Sequence, residues 1–127
     1  MELIMSPVSY ISYGEDEKKI IREGIASIRE VLMGKDTNKK KSLLFALDWF
    51  MDPYYKQDIS NLHDDLITLL QEVIISSEDD EVSEDALNLL SSYEWPPFEI
   101  LEKNLHKVSE RLRADALYVI NMDKENK

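Results

Sequence analysis

The sequence contains no cysteine, and this absence removes three kinds of chemistry at once. Without a thiol the chain has no disulfide, no thiolate zinc site and no cysteine nucleophile. Such a composition fits a reducing compartment, so we expect a cytoplasmic protein. No run of eighteen apolar residues occurs, and the start, 1–7 (MELIMSP), lacks both the basic residues and the unbroken apolar run of a secretion signal. We therefore expect neither a membrane-spanning helix nor a secretion signal.

Glycine and histidine are also scarce, which makes an active site hard to assemble. The glycines stand singly, at Gly14, Gly24 and Gly34. They form no glycine-rich phosphate loop, and Gly24, within an apolar stripe, is expected to permit close helix packing. His63 is interpreted as a packed or half-exposed residue rather than a base. No Glu-x-x-His pair suits a di-iron bundle, and the acidic run 78–85 lacks the central glycine of a calcium loop. We expect no enzyme, no cofactor and no metal site.

Lysine and arginine are missing from the whole middle of the chain, 57–102. Thirteen acidic residues lie there: Asp58, Asp64, Asp65, Glu72, Glu78, Asp79, Asp80, Glu81, Glu84, Asp85, Glu94, Glu99 and Glu102. These residues contribute −13, whereas the whole chain carries −11, so the remaining residues together carry −11 − (−13) = +2. Such a field repels nucleic acid and anionic membranes and attracts a basic protein. The alternative is a solvating coat, although a coat usually mixes both signs.

Apolar residues recur at helical spacing almost throughout. The first predicted helix has its apolar stripe over Ile20–Leu32; the acidic residues 15–17 precede the stripe, and Gly34 ends the helix. Further helices are predicted over 38–51, 58–75 and 82–93. Two more lie within 98–122 and meet near 107–109. Pro53 ends the second, and Asp58 fits the N-cap of the third. The pattern predicts a single all-α domain over 1–127 with about six helices. Segment 1–14 is compatible with extended structure, and 123–127 is expected to be a flexible tail.

The helices share a recurring sequence pattern. Ala-Leu pairs occur at 46–47, 86–87 and 116–117, and Val-Ser-Glu occurs at 82–84 and 108–110. Two segments end in an acid followed closely by proline and aromatic residues, at 52–55 and 94–98. This spacing is typical of helical hairpins that stack into an α-solenoid, and it resembles HEAT or armadillo-type repeats over about 15–122. The alternative is an irregular helical bundle in which a common dipeptide recurs by chance.

Short, cysteine-free, strongly acidic chains of this architecture are similar to the helical-repeat immunity proteins of bacterial toxin–immunity systems. The resemblance implies one-to-one binding of a cognate toxin domain, commonly a nuclease, and its neutralisation. It assigns no role to any individual residue. Two other functions fit the same charge: an adaptor that docks a basic protein or peptide without inhibiting an enzyme, and an acidic mimic of nucleic acid.

Three places are candidate partner contacts. The first is the acidic run Glu78, Asp79, Asp80, Glu81, Glu84 and Asp85. The helix dipole also explains Glu81, Glu84 and Asp85, whereas Glu78, Asp79 and Asp80 are expected to lie before the first turn of the helix. The second is the set Phe45, Asp48, Trp49 and Asp52 on the second predicted helix, opposite its core face. The third is the turn with Glu94 and Trp95. Each tryptophan is either an interface residue or part of the core.

Overall fold

Helices account for all the regular structure that the computed structural model describes, which covers residues 15–52 and 60–122. The α-helices are α1 (Glu15–Glu23), α2 (Ile25–Leu32), α3 (Thr37–Met51), α4 (His63–Ser76), α5 (Asp80–Tyr93), α6 (Glu99–Lys103) and α7 (Glu110–Ile120), with 3₁₀ turns at Ser60–Leu62 and Leu105–Lys107. The expected all-α class is confirmed for these residues. The predictions for 1–14, Asp58 and 123–127 lie outside them.

The first predicted helix is two helices, and Gly24 separates them. Gly24 has a φ of 110°, a conformation that glycine adopts readily and other residues rarely do. The carbonyl of Gly24 still accepts from the N–H of Ile28 at 3.2 Å, so α2 begins directly after it. The expectation that Gly24 permits close packing is wrong, because a Cβ built on it meets no atom within 4 Å. Backbone geometry is the reason for this glycine, and it brings the number of described helices to seven.

The chain divides into two compact units, Met1–Ile59 and Ser60–Lys127. In the first, α1, α2 and α3 each pack against the other two. The carboxylate of Asp36 caps α3 by accepting from the N–H of Lys39 at 3.2 Å, and α3 ends at Met51, just before Pro53, as predicted. The buried apolar residues here are Ile21, Ile28, Leu32, Leu43, Leu44, Ala46, Leu47 and Phe50.

In the second unit, α4 and α5 form a hairpin. Helix α4 also packs against α6, and α7 packs against both α5 and α6. Near-complete burial is found for Leu66, Leu69, Leu70, Val73, Ile74, Val82, Ala86, Leu90, Phe98, Leu101, Val108, Leu112 and Ala116, among others. The turn Leu105–Lys107 separates α6 from α7 close to the predicted break. Of the helices described in either unit, none has the length and apolar character needed to cross a membrane.

A buried glutamine ties α4 to α6. Gln71 is almost inaccessible to solvent, and its Nε2 donates to the carbonyl of Ile67 at 3.2 Å. Its Oε1 accepts from the backbone N–H of Leu101 at 3.0 Å. Leu101 lies in the first turn of α6, whose N–H groups have no partner within the helix. Gln71 therefore supplies, from another helix, an acceptor that α6 itself lacks.

Candidate functional site

The acidic run is built around the start of α5. Asp79 is the N-cap: its Oδ1 accepts from the N–H groups of Glu81 at 2.9 Å and Val82 at 3.4 Å. Ser77 Oγ accepts from the N–H of Asp79 at 3.1 Å and donates to its carbonyl at 3.2 Å, which holds the turn before the helix. The acids that follow lie where the helix dipole stabilises negative charge. The expectation that Asp79 and Asp80 lie before the helix is therefore wrong, because Asp79 caps α5 and Asp80 begins it, while Glu78 lies exposed before the helix.

A single guanidinium lies against this run. Arg111, at the start of α7, places its Nε 3.2 Å from Asp80 Oδ2 and its Nη2 3.6 Å from Glu84 Oε1. The hydrogen bond to Asp80 is the largest cause of a raised pKa for Arg111, so the guanidinium stays charged. All three side chains are substantially exposed, and such surface ion pairs contribute little to stability. The sequence analysis missed Arg111, since nothing in the sequence places position 111 beside position 80.

Together these residues line a shallow concavity with a volume of about 620 Å³. Its walls are Asp79, Asp80, Glu81, Glu84, Asp85 and Arg111. Five acidic residues and one arginine thus line the concave surface, and two of the carboxylates pair with the guanidinium. Clefts that carry one sign of charge concentrate the field and raise the local concentration of oppositely charged groups. This arrangement suits a protruding lysine or arginine of another protein.

The aromatic pair of α3 lies where the helical pattern puts it. Phe45 is 37% exposed and Trp49 is partly buried, with ring centroids 6.2 Å apart and planes inclined by 67° in an edge-to-face contact. Asp48 is exposed, and Asp52 is partly buried at the C-cap of α3. The two rings are therefore in contact, and Asp48 and Asp52 lie at the spacing i+3 and i+7 from Phe45. Trp49 is neither fully buried nor fully exposed, so the choice between core and interface stays open for it.

In the third candidate site, the turn with Glu94 and Trp95, the carboxylate is paired within the protein whereas the indole ring is exposed. Trp95 is 61% exposed, in the segment between α5 and α6. The side chain of Glu94 is only 10% exposed, and its Oε1 lies 2.8 Å from Nε2 of His63 at the start of α4. His63 Nδ1 lies 3.3 Å from Asp64 Oδ1. Trp95 is therefore available to another molecule, whereas the carboxylate of Glu94 closes the α4–α5 hairpin.

The His63 and Glu94 groups perturb one another. Burial alone lowers the pKa of His63, but the hydrogen bonds and charges of Asp64 and Glu94 outweigh it, so the pKa is raised. Burial raises the pKa of Glu94, and the neighbouring imidazole only partly opposes it. The imidazole is half exposed, in agreement with the interpretation of His63 as packed or half-exposed.

Helix α7 exposes two large side chains that the sequence analysis did not single out. Leu117 is 44% exposed and Tyr118 is 59% exposed. Leu117 belongs to the third Ala-Leu pair, and it is exposed whereas the leucines of the first two pairs, Leu47 and Leu87, are buried. Ala116 is buried, so only the leucine departs from the pattern. Periodicity alone does not reveal this, because it shows which residues share a face but not what covers that face.

Among the residues that the structure describes, no three His, Cys, Asp or Glu side chains are grouped so that they would hold a metal ion. The candidate surfaces are therefore the acidic concavity of the second unit, the aromatic cluster of α3, and the exposed Trp95, Leu117 and Tyr118.

Comparison of the chain with protein-family models, with curated proteins and with solved structures found no match.

Proposed function

We propose that this protein binds a basic protein partner through its acidic second unit and neutralises it, as an immunity protein does with a cognate toxin domain. The observation that carries the proposal is the acidic concavity, which is lined by five acidic residues and Arg111. A nuclease is the toxin class that fits best, because it needs a basic cleft to hold phosphates. The partner binds one-to-one, and the carboxylates occupy or cover that cleft.

The charge of the second unit favours fast capture. Residues 60–122 contain fourteen acidic and four basic residues, and all four bases lie at or beyond Lys103. A field of this kind steers a basic partner and allows association at about 10⁸–10⁹ M⁻¹s⁻¹ at low salt. Speed matters for an immunity protein, since free toxin acts on the cell that makes it. Association that slows steeply with added salt is therefore part of the proposal.

We also propose that the second unit is a short HEAT-like stack. The contacts within pairs, α4 with α5 and α6 with α7, combine with contacts between pairs, α4 with α6 and α5 with α7. Stacked helical hairpins produce this combination because each helix meets its own partner and its counterpart in the next hairpin. Arg111 and Asp80 bring the starts of α5 and α7 together, as two helices in equivalent positions require. An irregular bundle remains the alternative architecture.

A second function is supported by the exposed rings. Trp95, together with the Phe45–Trp49 pair, offers aromatic side chains of the kind that anchor protein interfaces. They favour an adaptor that docks a basic protein or peptide without inhibiting an enzyme. The two functions differ in what binding does to the partner: an immunity protein abolishes an activity that harms cells, whereas an adaptor leaves its partner working.

The test begins with tagged protein purified from its own cells at low ionic strength, followed by elution with salt. The captured basic protein is then expressed alone and together with this chain in a neutral host. We expect growth arrest in the first case, rescue in the second, and a one-to-one complex by light scattering. A captured protein that is harmless on its own, or an arrest that co-expression does not relieve, would refute the immunity function and favour the adaptor.

A further inference from the structure

Helix α7 carries an uncharged stripe on its exposed side. The residues Ala114, Leu117, Tyr118 and Asn121 have the spacing i, i+3, i+4 and i+7, so they follow one face of the helix. We call them the α7 stripe. Ala114 is exposed, as are Leu117 and Tyr118. This is the spacing with which one helix usually packs against another, yet among the described helices of the second unit none lies over the two large side chains of the stripe.

The repeated Ala-Leu pairs show that this position usually belongs to a core. Leu47 in α3 is fully buried, and Leu87 in α5 is 3% exposed. Leu117 holds the same place in the third pair but is exposed. Helix α5 packs against α4 and α7, and α7 packs against α5 and α6, yet Leu117 stays exposed while Leu87 is buried. The α7 stripe therefore has the character of a helix-packing surface that still lacks its partner.

Charge determines which occupant fits. A second copy would bring a second acidic unit against the first, and like charges oppose that contact. A cationic occupant is favoured instead. Arg111 links the start of α7 to Asp80 and Glu84, so the acidic concavity adjoins the same helix.

The stripe and the concavity lie within reach of one ligand helix. Arg111 and Tyr118 are seven residues apart on α7, which is roughly 10 Å along the helix axis. We infer that the α7 stripe and the acidic concavity form one docking surface for a basic amphipathic helix of the partner. Its apolar face packs on Leu117 and Tyr118, and its lysine or arginine residues meet the carboxylates at the start of α5. This inference rests on the proposed function, since it names the part of the basic partner that is recognised.

The two halves of the surface have different tasks. The carboxylates are exposed and act at long range, so they accelerate encounter and make binding sensitive to salt. Tyr118 and Leu117 supply apolar area that is removed from water only in the complex, so they slow dissociation. A tyrosine at such a place also keeps its hydroxyl available for a hydrogen bond at the rim.

The probe that tests this is a synthetic helix of about 18 residues, roughly five turns, with leucine on one face and lysine on the other. Binding to isotope-labelled full-length protein is followed by chemical-shift changes and titration. We expect the largest shifts at 114–121 and around Asp80, and a dissociation constant that rises at least about tenfold in the double variant Leu117→Ala, Tyr118→Ala. Met33→Ala, which removes an exposed large side chain of the first unit, is the matched control and leaves affinity unchanged.

Three results would overturn the inference. One is a peptide of the same composition in scrambled order that binds equally well, since the apolar face is then irrelevant. Another is a double variant with unchanged affinity. The third is self-association through the α7 stripe, seen as a dimer that the double variant dissociates. The proposed function is judged separately. If the double variant still rescues cells from a toxic partner, only the docking surface is refuted. If the peptide binds through α7 but no toxic partner is found, only the immunity function is refuted.

Discussion

The two described regions, 15–52 and 60–122, differ far more in charge than in secondary structure. Both consist of helices around leucine-rich cores. The first contains eight acidic and eight basic residues, whereas the second contains fourteen acidic and four basic ones. A helical core constrains only its buried face, so the exposed faces are free to carry any charge. Folding therefore does not require the excess of acid in the second region, which leaves it free to serve the binding role proposed above.

The acidic region also shows how a like-charged surface is held together. Side chains link segments about thirty residues apart: Arg111 with Asp80, and His63 with Glu94. Arg113, another of the few basic residues, donates to the carbonyl of Val108 at 2.9 Å. Crowded carboxylates repel one another and oppose a compact state. Placing scarce cationic groups at helix ends offsets part of that repulsion.

The largest effect is expected for the repeated leucines, and it tests whether the two regions have equivalent cores. Leu47→Ala and Leu87→Ala should each lower the free energy of unfolding by about 2–5 kcal/mol, because each leaves a cavity in a buried site. Leu117→Ala, at the exposed third position, should change it by less than about 1 kcal/mol. Urea unfolding followed by circular dichroism measures all three. A loss for Leu117→Ala as large as for Leu87→Ala would mean that the α7 stripe is covered in solution.

The next largest effect is expected for the buried hydrogen bond between Gln71 and the backbone of Leu101 in the second region. Gln71→Leu keeps similar volume but leaves the N–H of Leu101 without its acceptor, so we expect a loss of about 1–3 kcal/mol. Ser83→Ala is the control: Ser83 is also buried, but its Oγ makes only a long contact of 3.4 Å with the carbonyl of Ile74. Equal losses in the two variants would show that Gln71 acts through packing alone.

Two double Glu→Lys variants show whether the position of the acidic residues matters beyond the net charge of the protein. Glu78→Lys with Glu81→Lys should slow association with the lysine-leucine helix by about tenfold at low salt, because both lie beside or within the concavity. Glu23→Lys with Glu30→Lys makes the same change in net charge on the neutral region and should have a smaller effect. Stopped-flow rates at two ionic strengths provide the measurement. If both double variants slow association equally, the concavity has no special role.

The smallest effect is a pH dependence at the hairpin between α4 and α5. The pKa of His63 is raised above 6.5 in the folded protein, so its contribution to stability is complete below pH 6.5 and is lost as the pH rises through the folded value. The raised pKa of Glu94 acts in the same direction, starting from 4.5. The stability advantage of the wild type over His63→Gln should therefore shrink between pH 6 and 8. The effect is small because His63 is half exposed.

His106→Gln, which changes the exposed histidine of the turn Leu105–Lys107, is the matched control for this pH series. Its stability should follow that of the wild type across the range. A wild-type advantage over His63→Gln that grows with pH would contradict the pairing of His63 with Glu94.

Much of the helical framework follows from local sequence. The predicted helix 38–51 is observed as Thr37–Met51, and 82–93 is observed as Asp80–Tyr93. A following proline and apolar periodicity act within a few residues, so they can be read directly. The break at Gly24 does not follow from local sequence, because a glycine inside an apolar stripe is compatible with a continuous helix. Its positive φ is seen only in the folded backbone.

By itself, the amino-acid sequence determined the helical class in the described residues, the concentration of acid between 57 and 102, and the aromatic pair of α3. These depend on composition and on neighbours along one helix. Only the tertiary structure decided that Arg111 meets Asp80, that Glu94 turns toward His63, and that Leu117 remains exposed while Leu47 and Leu87 are buried. Each of those outcomes depends on which helices pack side by side. That choice is made by contacts between residues distant along the chain, and a local pattern does not contain it.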